Sequence, residues 1–328
     1  MQSDLQNDAL NERPSRPPIQ ETLASLGEMR ESTNKTLIYG LSDLSDEEII
    51  QLRSVWNGLS DTYRMDLLTA LVETSENNAD LDYMALAWLG LGDPSEETRK
   101  AAIELLWDNE SLSLMEKLMA MAVHDPAVSV RAAAAAALGR FILLGEFEEL
   151  PQREFAEGQR VLAELWTNPR EDVEVRRRAL ESLANSSHDL VATAIAEAYD
   201  SEDQRLQISA LFAMGRSCDE RWSEIVLAEL DNEDAEFRYE AARAAGELEI
   251  EEAIPALSRF VFDDDVDVRD VAIWSLGEIG GKEAVRILNL LANDAKLNRD
   301  RDLAEAIEDA LAIAELGGSN LYMMRLDD

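Results

Sequence analysis

The sequence predicts an all-α fold, a solenoid of about eight helix pairs. Three observations predict it. A short phrase recurs: Val130-Arg131-Ala132-Ala133-Ala134 running to Leu138-Gly139, Phe237-Arg238-Tyr239-Glu240-Ala241 running to Ala245-Gly246, and Val268-Arg269-Asp270-Val271-Ala272 running to Leu276-Gly277. The copies keep phase. Their Arg slot falls at Arg64, Arg99, Arg131, Arg176, Gln207, Arg238, Arg269 and Ala304, with steps of 31 residues from Arg176 to Arg269 and of 35, 32, 45 and 35 elsewhere. Between the copies, apolar residues follow helical spacing. A period in this range marks stacked repeats rather than one globular core.

The chain opens on polar residues 1–35, with Pro14, Pro17 and Pro18 in a short cluster. Such a stretch buries too little apolar surface to order on its own and is expected to be a disordered lead. The repeat region is expected over 36–316. Its first pair begins near Ser45, where Ser45 followed by Glu48 has the form of a capping box.

Residues 219–246 show what one unit contains. Asp219 is a candidate N-cap for a first helix with Trp222, Ile225, Val226 and Leu230. Asp231-Asn232 makes a turn. A second helix carries Phe237, Ala241, Ala244 and Ala245 on one face. The next unit runs from Ile250 to Val261, turns at Asp263-Asp264-Asp265 and continues from Val266 to Ile279. In each phrase a small or apolar residue with Gly is read as closing the turn. The 45-residue step carries an insertion near 145–158. Gly317-Gly318 is expected to end the last helix, and the tail 317–328, apolar at Leu321, Tyr322, Met323, Met324 and Leu326, could fold back as a cap on the stack or dock into a partner. Trp56, Trp88, Trp166 and Trp222 fall in first helices and are expected in the core.

The pattern Asp-Pro-x-x-x-Val-Arg-x-x-Ala-x-x-Ala-Leu-Gly resembles the HEAT repeat. Asp125-Pro126 to Gly139 matches it almost throughout, and Asp93-Pro94 to Leu106 more loosely. The resemblance covers roughly 45 to 315, although Gln207 and Ala304 depart from the Arg slot. It implies a right-handed α-solenoid of HEAT-like pairs, with second helices lining a concave face. It also implies that Asp93, Asp125, Asp263 and the Arg slots form a structural ladder between repeats.

Formal net charge is −38, from 68 acidic against 30 basic residues. Such a surface repels phosphate backbones and anionic lipid headgroups, so no nucleic acid is expected. It suits a basic protein partner, or simple solubility. The one cysteine, Cys218, excludes an intrachain disulfide. Met1 to Leu10 has no apolar signal-like core, and no apolar stretch is read as approaching the ~20 residues of a membrane helix. A cytoplasmic protein without membrane insertion is the expectation.

The chemical inventory is thin. His124 and His188 each precede an Asp but sit at different places in their repeats, unlike the repeated His-Glu pairs of the deoxyhypusine hydroxylases, which hold di-iron. No metal site is expected. The run Asp263 to Asp267 lacks the Gly and Glu of an EF-hand loop, since Val268 and Trp274 stand there. No phosphate-binding glycine loop is present, and Gly280-Gly281 reads as a helix end. Arg170, Arg176, Arg177 and Arg178 form one basic cluster, expected to pair with Glu171, Asp172 and Glu174. No catalytic residue and no cofactor are assigned.

One strip of residues invites a function. The slots one and five after the Arg slot share a helix face. They hold Ile208 and Phe212 in the fifth unit, Tyr239 and Arg243 in the sixth, Asp270 and Trp274 in the seventh, but Lys100 and Glu104 in the second and Glu305 and Asp309 in the eighth. Aromatic and Arg side chains favour binding hot spots. Ile208, Phe212, Tyr239, Arg243 and Trp274 are therefore the candidate partner-binding strip of a non-enzymatic protein-interaction scaffold. The repeats also resemble those of phycobilisome lyases. That resemblance implies an alternative, a bilin lyase-like or chaperone-type accessory protein acting on a pigment-binding client.

Overall fold

The computed structural model describes residues 16–28, 34–78, 80–293 and 301–324, with the side chains of the last helix described as far as Glu315. The chain forms two compact units, Met1–Leu138 and Gly139–Asp328.

In the first unit, α1 (Ile19–Glu28) and α2 (Lys35–Gly40) precede α3 (Asp46–Trp56), α4 (Asp61–Glu76), α5 (Met84–Gly90), α6 (Glu96–Leu105) and α7 (Leu112–His124). The 19-residue α8 (Val128–Glu146) runs through the boundary between the units. In the second unit follow α9 (Gln152–Thr167), α10 (Val173–Leu183), α11 (Val191–Tyr199), α12 (Gln204–Arg216), α13 (Ser223–Glu229), α14 (Ala235–Glu247), α15 (Ile254–Phe260), α16 (Val266–Ile279), α17 (Gly281–Ala292) and α18 (Arg301–Met324). Short 3₁₀ turns at 220–222 and 251–253 lead into α13 and α15.

Among the described residues, the helices from α3 onward alternate in chain order as eight first and eight second helices, with every Arg slot on a second helix. The architecture is an α-solenoid. Within the first unit α4 packs on α6. Within the second, α10, α12, α14, α16 and α18 pack in succession, each also against its own first helix. Caps set the starts. Ser45 accepts from the Glu48 amide while Glu48 reaches back to Ser45, a complete capping box. Asp265 accepts from the amides of Asp267 and Val268 at the start of α16.

The interior is built from the predicted faces. Phe237, Ala241, Ala244 and Ala245 are buried, as are Trp56, Trp166 and Trp222, whereas Trp88 is half-buried because it sits off the inward face of the short α5. The repeated Gly does not close a turn. Gly215 and Gly246 lie inside α12 and α14, where the next second helix comes too close for a side chain. A Cβ on Gly215 would stand 2.9 Å from Ala244 Cα, and one on Gly246 2.9 Å from Ser275 Cα.

The Asp–Arg ladder is present. Asp93 pairs with Arg64 at 2.8 Å, Asp125 with Arg99 at 2.7 Å and Asp263 with Arg238 at 3.1 Å. Each Asp also accepts the amide two residues on, closing its turn. Each arginine in these slots reaches back to a carbonyl before its helix, as Arg131 does to Asp125 O at 2.9 Å and Arg269 to Asp263 O at 3.0 Å. Gln207 keeps this role, donating to Tyr199 O at 3.3 Å.

Several boundaries differ from expectation. The lead over 1–35 is partly helical: α1 packs on α2 and α3 and buries Ile19 and Leu26, so a segment unable to order alone orders by docking. Residues 1–15 and 29–33 lie outside the described residues. The insertion near 145–158 is taken up by the ends of α8 and α9, separated by a short link. The last helix runs through Gly317-Gly318 to Met324, so the expected helix end there is not found. Residues 325–328 lie outside the described residues. Finally, α8 is apolar and long enough to cross a membrane by length and composition, contrary to the sequence reading; half of it is buried within the fold.

Candidate functional site

Three second helices carry the candidate strip: α12 holds Ile208 and Phe212, α14 holds Tyr239 and Arg243, and α16 holds Trp274. All five side chains are half-buried, neither sealed in the core nor fully in solvent. Because α12, α14 and α16 pack in succession, residues 31 apart in sequence come side by side.

Two cavities lie along this face. The first, about 550 Å³, is lined by Ile208, Phe212 and Tyr239 together with Arg177, Arg178, Glu181 and Glu240. The second, about 320 Å³, is lined by Tyr239, Arg243 and Trp274 together with Arg216 and Glu247. Tyr239 and Asp267 line both. The five residues thus share one surface, but Ile208 and Trp274 lie in different basins of it.

Phe212 sits at its centre. The Arg243 guanidinium carbon lies 3.8 Å from the Phe212 ring centroid and that of Arg216 5.7 Å. Stacking of this kind favours a cation over the ring face. Arg243 Nε lies 3.2 Å from Glu240 Oε2, and Arg216 Nε 3.3 Å from Glu247 Oε1. The Arg243–Glu240 pair is close but misaligned, and neither atom makes a hydrogen bond. Charge attraction rather than directed bonding therefore holds that pair. Burial pushes the Glu240 carboxyl up to about 7, against the pull of Arg243 and with Glu181 and Glu247 adding to the rise. Burial also raises Glu247, against Arg243 and Arg216, and raises Tyr239.

At the other end, Glu181 is buried and accepts from Arg178 at 2.8 Å, Ser209 at 2.6 Å and Arg177 at 3.2 Å. Arg177 also donates to Glu174 at 2.6 Å. The basic cluster is thus paired as expected for Glu174, with Glu181 as the partner the sequence reading missed. Arg176 turns away, donating to Trp166 O and lying over the Trp166 ring.

Sequence reasoning also missed Glu240, Glu247, Arg216 and Asp267. A signal existed for Glu181: Arg177 and Glu181 occupy the same two slots in the fourth unit as Ile208 and Phe212 in the fifth. Glu240 and Glu247 stand three before and four after Arg243, the helix spacing that lets charges meet. His188 accepts from the Leu190 amide ahead of α11. Among the described residues, no group of three His, Cys, Asp or Glu is placed to hold a metal.

Residues 223–312 match the family model for HEAT repeats. No curated protein matches the chain. Among solved structures, the Escherichia coli protein YibA is similar at 15% identity, covering 87% of this chain and 98% of that one with a TM-score of 0.46. The complex of CpcE and CpcF of phycocyanin lyase from Nostoc sp. is similar at 18% identity, covering 70% and 94% with a TM-score of 0.46. Importin beta is similar at 13% identity, covering 90% and 44% with a TM-score of 0.43.

Proposed function

We propose that this chain, a HEAT-repeat protein in which residues 223–312 carry the family pattern, is a non-enzymatic scaffold that holds a protein or peptide on the face of α12, α14 and α16. The observation that carries this reading is the placement of Phe212, Tyr239 and Trp274 on the second helices of three successive units, half-exposed along two adjoining cavities. Aromatic anchors in partly desolvated pockets, rimmed by charge, are the features that concentrate binding energy. The net charge of −38 favours a basic partner and would act mainly on encounter rate and selectivity.

The test is affinity capture from the native host, comparing the wild-type chain with the Phe212→Ala/Trp274→Ala double variant. A stoichiometric protein captured by the first and lost by the second supports the reading. A partner retained by the folded variant removes this face from consideration. The alternative, an accessory protein acting on a pigment-binding client, predicts instead a bound tetrapyrrole or a chromophore-bearing client in the captured material.

A further inference from the structure

Tyr239 and Asp267 divide the groove, being the residues common to both cavities. Open space therefore borders the Tyr239 side chain on two sides. The arginines that line the groove are all engaged. Arg177 and Arg178 are shared between Glu174 and Glu181. Arg216 pairs with Glu247, and Arg243 lies between Glu240, Glu247 and the Phe212 ring. The carboxylates are in excess. The larger cavity sets Glu181, Glu236, Asp265 and Asp267 against Arg177 and Arg178. Of these acids, Asp265 is occupied capping α16, whereas Glu236 and Asp267 are exposed and make no ion pair among the described residues.

We infer that the groove is a socket for a cationic side chain, in which an arginine or lysine from a basic segment of a partner lies against the Tyr239 ring with its charge at Asp267. This rests on the reading that the face binds a partner, and it names the chemistry of the contact. An aromatic face beside an unneutralised carboxylate attracts a cation twice, through the ring quadrupole and through the charge. An anionic side chain would meet the surplus carboxylates with no free guanidinium to receive it. An apolar side chain would leave Asp267 facing a dry neighbour, at a desolvation cost. A guanidinium fits best because its plane can stack on the ring while its edge donates to the carboxylate.

The experiment uses the full chain with two fluorescein-labelled probes, tetra-arginine and the neutral tetra-citrulline, read by fluorescence anisotropy at about 0.1 M salt. Asp267→Asn and Tyr239→Ala are expected to weaken tetra-arginine binding about fivefold or more. Glu224→Gln removes one exposed charge from α13, away from the groove, and is expected to change it by less than about twofold. Tetra-citrulline is expected to bind at least about tenfold more weakly than tetra-arginine. Asp267→Asn alters an exposed side chain, so it remains informative if Tyr239→Ala disturbs folding. Equal effects of Asp267→Asn and Glu224→Gln would mean diffuse attraction to the acidic surface and would overturn the socket. Binding of tetra-citrulline as tightly as tetra-arginine, or no binding of either, would also overturn it. If the captured partner depends on Phe212 and Trp274 but not on Asp267, the interaction face stands and the cation socket falls.

Discussion

Asp93 shows how much one side chain does in this fold. Its carboxylate accepts from the Trp56 indole at 2.8 Å, from Arg64 Nη2 at 3.0 Å and from the Ser95 amide at 2.9 Å, with Arg64 almost wholly out of solvent. Removing one partner of a buried pair strands the other charge. Asp93→Ala is therefore expected to lower stability by about 3–5 kcal/mol, read as a shift in the urea midpoint. That the Arg slot is structural was legible through the resemblance to the HEAT repeat, which implies a ladder between the turn Asp and the Arg. Glu240 was not legible, since nothing in a chain of 68 acids distinguishes it until the fold buries it. Its native value of about 7 exceeds the roughly 4.3 of an unfolded chain. The native state thus holds the proton longer. Glu240 contributes fully below about pH 4, and the contribution is lost as pH rises through 7. Glu240→Gln, neutral at every pH, is expected to be about 1–3 kcal/mol more stable than the wild type at pH 8 and close to it at pH 4. Urea unfolding at the two pH values checks this, and an equal offset at both would show that Glu240 does not titrate in this range.

At the scale of elements, the spacing of second helices is set by residues that lack bulk. Gly246 faces Ser275, whose hydroxyl lies 2.8 Å from both Ala242 O on the neighbouring helix and Val271 O on its own, either of which can accept its proton. Gly246→Ala would force α14 from α16, with an expected loss of about 1–3 kcal/mol on thermal unfolding. The same displacement would widen the groove at Tyr239 and Arg243, so partner binding should weaken with it. The sequence revealed this Gly as part of a repeating phrase but suggested a turn, because a Gly after an apolar run is ambiguous between a helix end and a close contact. Only the neighbouring helix distinguishes them. The same ambiguity produced the expected helix end at Gly317-Gly318, where α18 in fact continues. At the other end, α1 shows the complementary case: local composition argued for disorder, and apolar contacts with α2 and α3 supply what the segment lacks.

For the molecule as a whole, the charge of −38 creates a long-range field that salt screens. If the partner is basic, its association rate should fall about tenfold between low ionic strength and about 0.5 M salt, with a smaller change in dissociation rate. Stopped-flow mixing measures both, and a salt-independent association rate would remove the acidic field from the recognition mechanism. The resemblance to the HEAT repeat implied the Asp–Arg ladder, whereas the sequence by itself determined the helical class, the pairing of helices and the phase of the repeats. These follow from periodicity, and a helix repeats its environment at fixed residue intervals. It also placed Ile208, Phe212, Tyr239, Arg243 and Trp274 on corresponding faces of successive units. Only the tertiary structure decided which carboxylates are desolvated, that Arg243 lies on Phe212, and that Tyr239 and Asp267 divide two cavities. Those properties depend on side chains meeting across helices and on the water excluded between them, neither of which has a period in the sequence.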